Sequence, residues 1–181
     1  MLLELAERLQ EATPPYSLKF IAFGSEEQGL LGSTAYTKQM TSKDIQATIA
    51  MMNLDTLVGG DKMYVHSGAN NKGWLRDKAL KLAKTRSIDL ETNPGLNPLY
   101  PKGTTGDWGD HEPFHQLGIE IATFETTNWE IGELDGYEQT EKYGSIWHTE
   151  KDTLSFLEKA FPGRVQQQLA DFVFVLDQLL L

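Results

Sequence analysis

Four carboxylates and one histidine stand directly after apolar runs or at a helix entry: Glu26 and Glu27 after KFIAFGS, Asp55 after AMMNL, Glu125 after IEIATF, and His148 in IWHTEKDT. A carboxylate at the end of a buried strand is costly unless a cation or a hydrogen-bond donor meets it. In an open α/β sheet the carboxyl ends of the strands converge where ligands bind. Carboxylates gathered there with an imidazole make a donor set for a divalent cation. Each residue also has a plainer reading. Glu26-Glu27 would suit a helix entry through the helix dipole, Asp55 a turn, and His148 a ring donating to a carbonyl. The combination is more specific than any member.

A second stretch, His111-Glu112-Pro113-Phe114-His115, has the H-E-x-x-H spacing by which one helical face presents two imidazoles to zinc. That geometry needs a helix running through all five residues and beyond. Here Asp110 reads as the N-cap, which places Pro113 in the first turn, and Gly118 followed by the strand-like IEIATFE ends the helix at once. The stretch is therefore expected to be a short helix start with a partly exposed His115, and not a zinc motif.

These residues need a scaffold, and the sequence supplies one domain's worth, residues 1–181. Runs such as SLKFIAFGS, ATIAMMNLDT, KMYVHSG and IEIATFE read as strands. Residues 2–9, in a helix ended by Pro14-Pro15, LLGSTAYTKQM, residues 71–86 and residues 154–181, the last broken near Pro162-Gly163, read as helices. Strands alternating with helices predict an α/β three-layer sandwich with a mostly parallel central sheet. The loop 92–110, rich in Gly, Pro, Asn and Asp, is long enough to shape a site. With 16 Lys and Arg against 26 Asp and Glu the net charge is −10, so nucleic acid is excluded as a partner. The absence of cysteine removes thiolate ligands, disulfides and a cysteine nucleophile. No apolar run reaches the length of a membrane span, and the opening MLLELAERLQ does not read as a signal peptide.

FIAFGSEEQGLLGSTAY, with NLD, GDHEPFHQLGI and HTEKDT following in order, resembles the signature blocks of the co-catalytic zinc aminopeptidases of metallopeptidase clan MH. FETTNWEIG is similar to a stretch of the bacterial aminopeptidases typified by the alkaline phosphatase isozyme conversion protein, and the match is also to bacterial leucine aminopeptidases. The resemblance implies a zinc-peptidase-like fold and a two-zinc site. It implies that Glu26 is the general base and acid, that Glu27 and His148 hold one zinc, and that Asp55 holds the other. Asp110, His111, Trp147 and Tyr100 are the expected substrate-binding residues, so HEPFH becomes part of the site wall. Peptides are the implied substrates, and a secreted or cell-envelope location follows from the resemblance alone.

The family also carries a further His ligand and a bridging Asp ahead of the helix that here opens the chain. Residues 1–181 are therefore expected to lack two ligands and the first strands of the sheet, to hold zinc partially, to be impaired in hydrolysis for want of those ligands, and to self-associate through the uncovered edge. Trp147 stands where some relatives have Tyr, and Trp there resembles the single-zinc glutaminyl cyclases. Two alternatives stay open: such a cyclase-like enzyme, and a binding or assembly domain of the same fold that has lost activity.

Overall fold

The computed structural model describes residues 1–181. Four strands, β1 Ala50–Leu54, β2 Lys62–Ser67, β3 Leu90–Glu91 and β4 Glu120–Thr127, form one sheet in the order β1-β4-β2-β3. β1 and β4 are parallel, as are β2 and β3, while β2 runs antiparallel to β4. The sheet is thus mixed, with two parallel pairings and one reversal.

One face is buried by α1 (Leu2–Arg8), α4 (Trp74–Thr85) and α7 (Arg164–Leu180). α4 turns Leu75, Ala79 and Ala83 inward at spacings of four, and α7 turns Val165, Gln168, Phe172, Val175 and Leu179 inward at three and four. These meet Met63, Val65, Ala122 and Phe124, alternate residues of β2 and β4. α6 (Leu154–Ala160) precedes α7, and Gly163, at φ 80° after Pro162, separates the two. The other face is covered by α2 (Leu31–Lys38), α3 (Ser42–Ala47) and α5 (Glu112–Gln116), through Tyr36, Ile45 and Phe114 over Met51 and Ile121. Helices on both faces of the sheet give the three layers.

The segment 18–25, expected as a strand, makes no ladder. Only Phe23 of it packs inward, 5.8 Å from Tyr36 and 6.0 Å from Phe114, ring centre to ring centre, while Phe20 and Ala22 stay exposed. An apolar run specifies burial, and a strand also needs a neighbour with free N–H and C=O groups in register. The first helix also stops at Arg8, well short of Pro14.

β1 pairs with β4 alone, so its outer edge carries no strand, and Ile49, the residue before it, is 51% exposed. An open edge flanked by apolar side chains favours pairing with another chain. We expect the protein to sediment as a dimer or other defined oligomer, because a net charge of −10 opposes indiscriminate aggregation. Analytical ultracentrifugation showing a monodisperse monomer would refute this.

Candidate active site

The alternation of β4 sorts its residues by face. Ile121, Thr123 and Glu125 point away from the α4–α7 layer, and in register with them across the sheet stand Asn53 of β1 and His66 and Tyr64 of β2. Asp55 follows directly after β1, with its N–H donating to the Phe124 carbonyl at 3.1 Å, so it lies beside Glu125. The row nearest the carboxyl ends of β1 and β4 is therefore Asp55, Glu125, Tyr64.

Glu26 and Glu27 lie on a single 3-10 turn, Glu26–Gln28, between Ser25 at φ 59° and Gly29 at φ 94°. The turn folds tightly back: Gly32 donates its N–H to the Gly24 carbonyl at 3.1 Å, and a Cβ on Gly32 would lie 2.5 Å from that oxygen. Glycine is required there by close approach of backbone to backbone. Thr56, next to Asp55, and His148 also adopt left-handed backbone, at φ 43° and 56°. Non-glycine residues held in that region cost stability and concentrate at functional sites.

The Glu26 carboxyl is pushed above the usual glutamate value, first by burial and then by the charges of Glu27, Asp55 and Asp110, with His148 opposing. These five residues thus share one electrostatic neighbourhood. Asp55 is likewise raised, chiefly by crowding of protein around it, although part of its side chain reaches solvent. His148 Nε2 lies 3.4 Å from Glu27 Oε1, and both side chains are largely exposed. Asp110 has a buried Oδ1 with no hydrogen-bond partner.

The HEPFH stretch starts a helix, as its spacing and Pro113 suggest, but Asp110 is not its cap. The Gly109 carbonyl accepts the Glu112 N–H at 2.9 Å and closes the turn, and the capping position falls on His111 without a side-chain bond. His115 is buried, not partly exposed, with Nδ1 2.7 Å from Asp107. His111 donates from Nε2 to the Gly106 carbonyl at 2.9 Å, and burial depresses its pKa. Trp147 spends its indole N–H on the Tyr137 carbonyl at 3.1 Å and packs beside the His148 ring. Tyr100 lies edge-on to Trp108 and Trp129.

Beside Asp55 lies a network that the sequence reading missed. Glu125 Oε1 accepts from His66 Nε2 and from Trp129 Nε1, each at 2.9 Å. The Asn93 N–H donates to His66 Nδ1 at 3.2 Å, which fixes the imidazole proton on Nε2. Asn93, 1% exposed, clamps the loop by donating to the carbonyls of Tyr100 and Thr104 and accepting from the Gly95 N–H. No local pattern signals these contacts, since His66 and Glu125 are 59 positions apart. Burial alone would raise the Glu125 pKa, but the hydrogen bonds from His66 and Trp129 hold it below the usual glutamate value. A depressed folded pKa contributes stability that is present above the unfolded value near 4.5 and is lost as pH falls through the folded value. Glu125→Gln should therefore flatten the acid limb of a melting-temperature profile; an unchanged limb would remove Glu125 from the acid response.

The model of peptidase family M28 matches residues 1–173 of this chain. The chain belongs to peptidase family M28. It is 38% identical over 186 residues to the alkaline phosphatase isozyme conversion protein of Escherichia coli, covering 97% of this chain and 54% of that one. It is 28% identical over 172 residues to aminopeptidase YwaD of Bacillus subtilis, covering 92% of this chain and 33% of that one. The crystal structure of BSAP, a zinc aminopeptidase from Bacillus subtilis, superposes with a TM-score of 0.71 at 24% identity, covering 98% of this chain and 39% of that one, and shows the shared fold. This M28 chain thus spans about half the length of the first curated relative and a third of the second. The family is one of zinc metallopeptidases that includes aminopeptidases.

The candidate ligands fit zinc in kind, being imidazole and carboxylate without thiolate. They also fit in spacing at one point. Zinc–ligand distances of about 2.0–2.1 Å set a tetrahedral edge of about 3.4 Å, which is the His148–Glu27 separation. Glu27, Asp55 and His148 do not gather as three donors around one point.

Proposed function

We propose that this domain is a zinc-dependent aminopeptidase domain that hydrolyses the N-terminal peptide bond of peptides. The observation that carries the reading is His148 Nε2 standing 3.4 Å from Glu27 Oε1, next to Glu26, whose carboxyl feels the charges of Glu27, Asp55 and Asp110. The family membership of the chain and the names of its relatives support the choice of reaction. In this reading Glu27 and His148 hold one zinc and Asp55 a second. Bound zinc would supply Lewis acidity for the scissile carbonyl and for a water molecule. Glu26, whose raised pKa brings it nearer to neutrality, accepts the proton of the attacking water and returns it to the leaving amine. Asp110 and His111 form the wall beside Glu26, and Trp147 orients the His148 ring by packing against it.

Chelation and reconstitution test the reading: hydrolysis of an amino-acid anilide should vanish with a chelator and return with zinc. Persistence of activity in chelator would overturn it. Because the three donors are split between two positions, zinc binding by these residues is expected to be weak or partial. Calorimetry that counts two tightly held ions per chain would contradict this expectation. A second reading, a binding or assembly domain without turnover, draws on that same dispersion of the donors. A folded, zinc-loaded protein with no anilide hydrolysis would favour it.

A further inference from the structure

Glu125 lies in a setting that the proposed hydrolytic machinery does not use. It lies on the face of β4 that looks away from the α4–α7 layer, beside Asp55 and opposite Tyr64. Its side chain is 16% exposed, and the His66 side chain behind it is fully buried. Both donors that reach it, His66 Nε2 and Trp129 Nε1, converge on the same oxygen, Oε1. Oε2 has no hydrogen bond from the protein, and it is not among the buried polar atoms left without a partner. The carboxylate is therefore gripped from behind by one oxygen and presents the other forward.

The grip is itself braced. Asn93 fixes the His66 tautomer and pins the loop that carries Tyr100 and Trp108, and Trp129, with no exposed surface, stacks with Trp108 at 6.1 Å. An anion oriented in advance by buried donors loses little freedom when a cation meets it, so binding energy is not spent on ordering. Glu26 is occupied with the proton, and Glu27 and Asp55 with zinc. Glu125 is the braced carboxylate beside Asp55, and no step of the proposed hydrolysis uses it.

We propose that Glu125, through Oε2, receives the free α-ammonium group of the peptide's first residue. The choice of ligand rests on the aminopeptidase reading, in which the one cation every substrate carries is its terminal ammonium. The contact would distinguish a free N-terminus from a blocked or internal one. His66, Trp129 and Asn93 are then positioning residues for this anion.

The test compares two neutral-sized probes, L-leucinamide and its des-amino analogue 4-methylpentanamide. Calorimetry on the metal-free full chain at pH about 6.5 keeps the α-amino group charged and requires no turnover. The intact protein should bind leucinamide about tenfold or more tightly than the analogue, the scale of a charged hydrogen bond. Glu125→Gln, which preserves the acceptor for His66 and Trp129, should reduce that preference to near unity, and Glu125→Asp, which keeps the charge on a shorter stem, should keep part of it. Asp110→Asn serves as the rival arm. If the preference survives Glu125→Gln, or disappears with Asp110→Asn instead, the assignment is overturned. If the preference follows Glu125 while the zinc-loaded chain never cleaves an anilide, the ammonium site stands and the aminopeptidase reading falls.

Discussion

In a version carrying the complete family site, Glu26→Gln should lower anilide turnover by roughly two orders of magnitude or more while zinc content stays nearly unchanged. That factor is the usual scale for a general base removed from a proton transfer. The substitution keeps the shape of the side chain and the one-turn helix that carries it, and removes the group that can take and return a proton. Glu26 also differs from its neighbours in what the folded chain does to it: burial and three surrounding carboxylates raise its pKa, whereas the adjacent Glu27 faces His148 at 3.4 Å. The matched substitution Glu27→Gln should therefore fail in the opposite manner, by losing metal, and added zinc should restore part of its rate. Rates measured with bound zinc quantified in the same sample would separate the two. A Glu26→Gln protein that keeps its turnover, or recovers it merely by adding zinc, would reassign the residue.

The largest expected effect on stability comes from the opposite face of the sheet. Phe172→Ala should destabilise the fold by about 3–5 kcal/mol, the range for truncating a buried aromatic ring to a methyl group. Phe172 has no exposed surface and meets Phe124 of β4 edge-on, with ring centres 6.1 Å apart at 88°. Around it Val65, Ala122, Val175 and Leu176 are nearly or fully buried, so the surroundings cannot collapse freely into the space left behind. For a domain of this size the loss corresponds to a drop in melting temperature of roughly 6–20 °C. A calorimetric scan showing a drop of only a degree or two would mean that α7 is loosely seated and that the core is held elsewhere.

Much of the scaffold was legible in the sequence, for reasons that differ between elements. β1, β2 and β4 announce themselves because each is an apolar run bounded by polar turns, and α4 and α7 because their apolar residues recur at three and four. Segment 18–25 was misread because an apolar run does not by itself supply a neighbour to pair with: only Phe23 packs, against Tyr36 and Phe114, and Phe20 stays exposed. β3 has two residues, too few to carry a period. α3 was legible and overlooked: Thr41 and Asp44 exchange hydrogen bonds in a capping box whose spacing can be read from TSKD. At the site, the order of the blocks points to Glu26, Glu27, Asp55, Asp110 and His148; the fold sets His148 Nε2 3.4 Å from Glu27 Oε1 but does not gather Glu27, Asp55 and His148 around one point. His66, Trp129 and Asn93 could not be anticipated, because their contacts depend on β2 running antiparallel beside β4, a long-range choice that leaves no local trace.

The left-handed backbone of His148 has a practical meaning for anyone who dissects this centre by mutagenesis. An alanine at 148 would remove the imidazole and at the same time place a residue poorly suited to that conformation in the loop, so one measurement would merge two defects. Glycine would relax the backbone and hide part of the loss. Asparagine enters this region several-fold more readily than most side chains, so the His148→Asn protein is the variant whose deficit can be read as the imidazole alone.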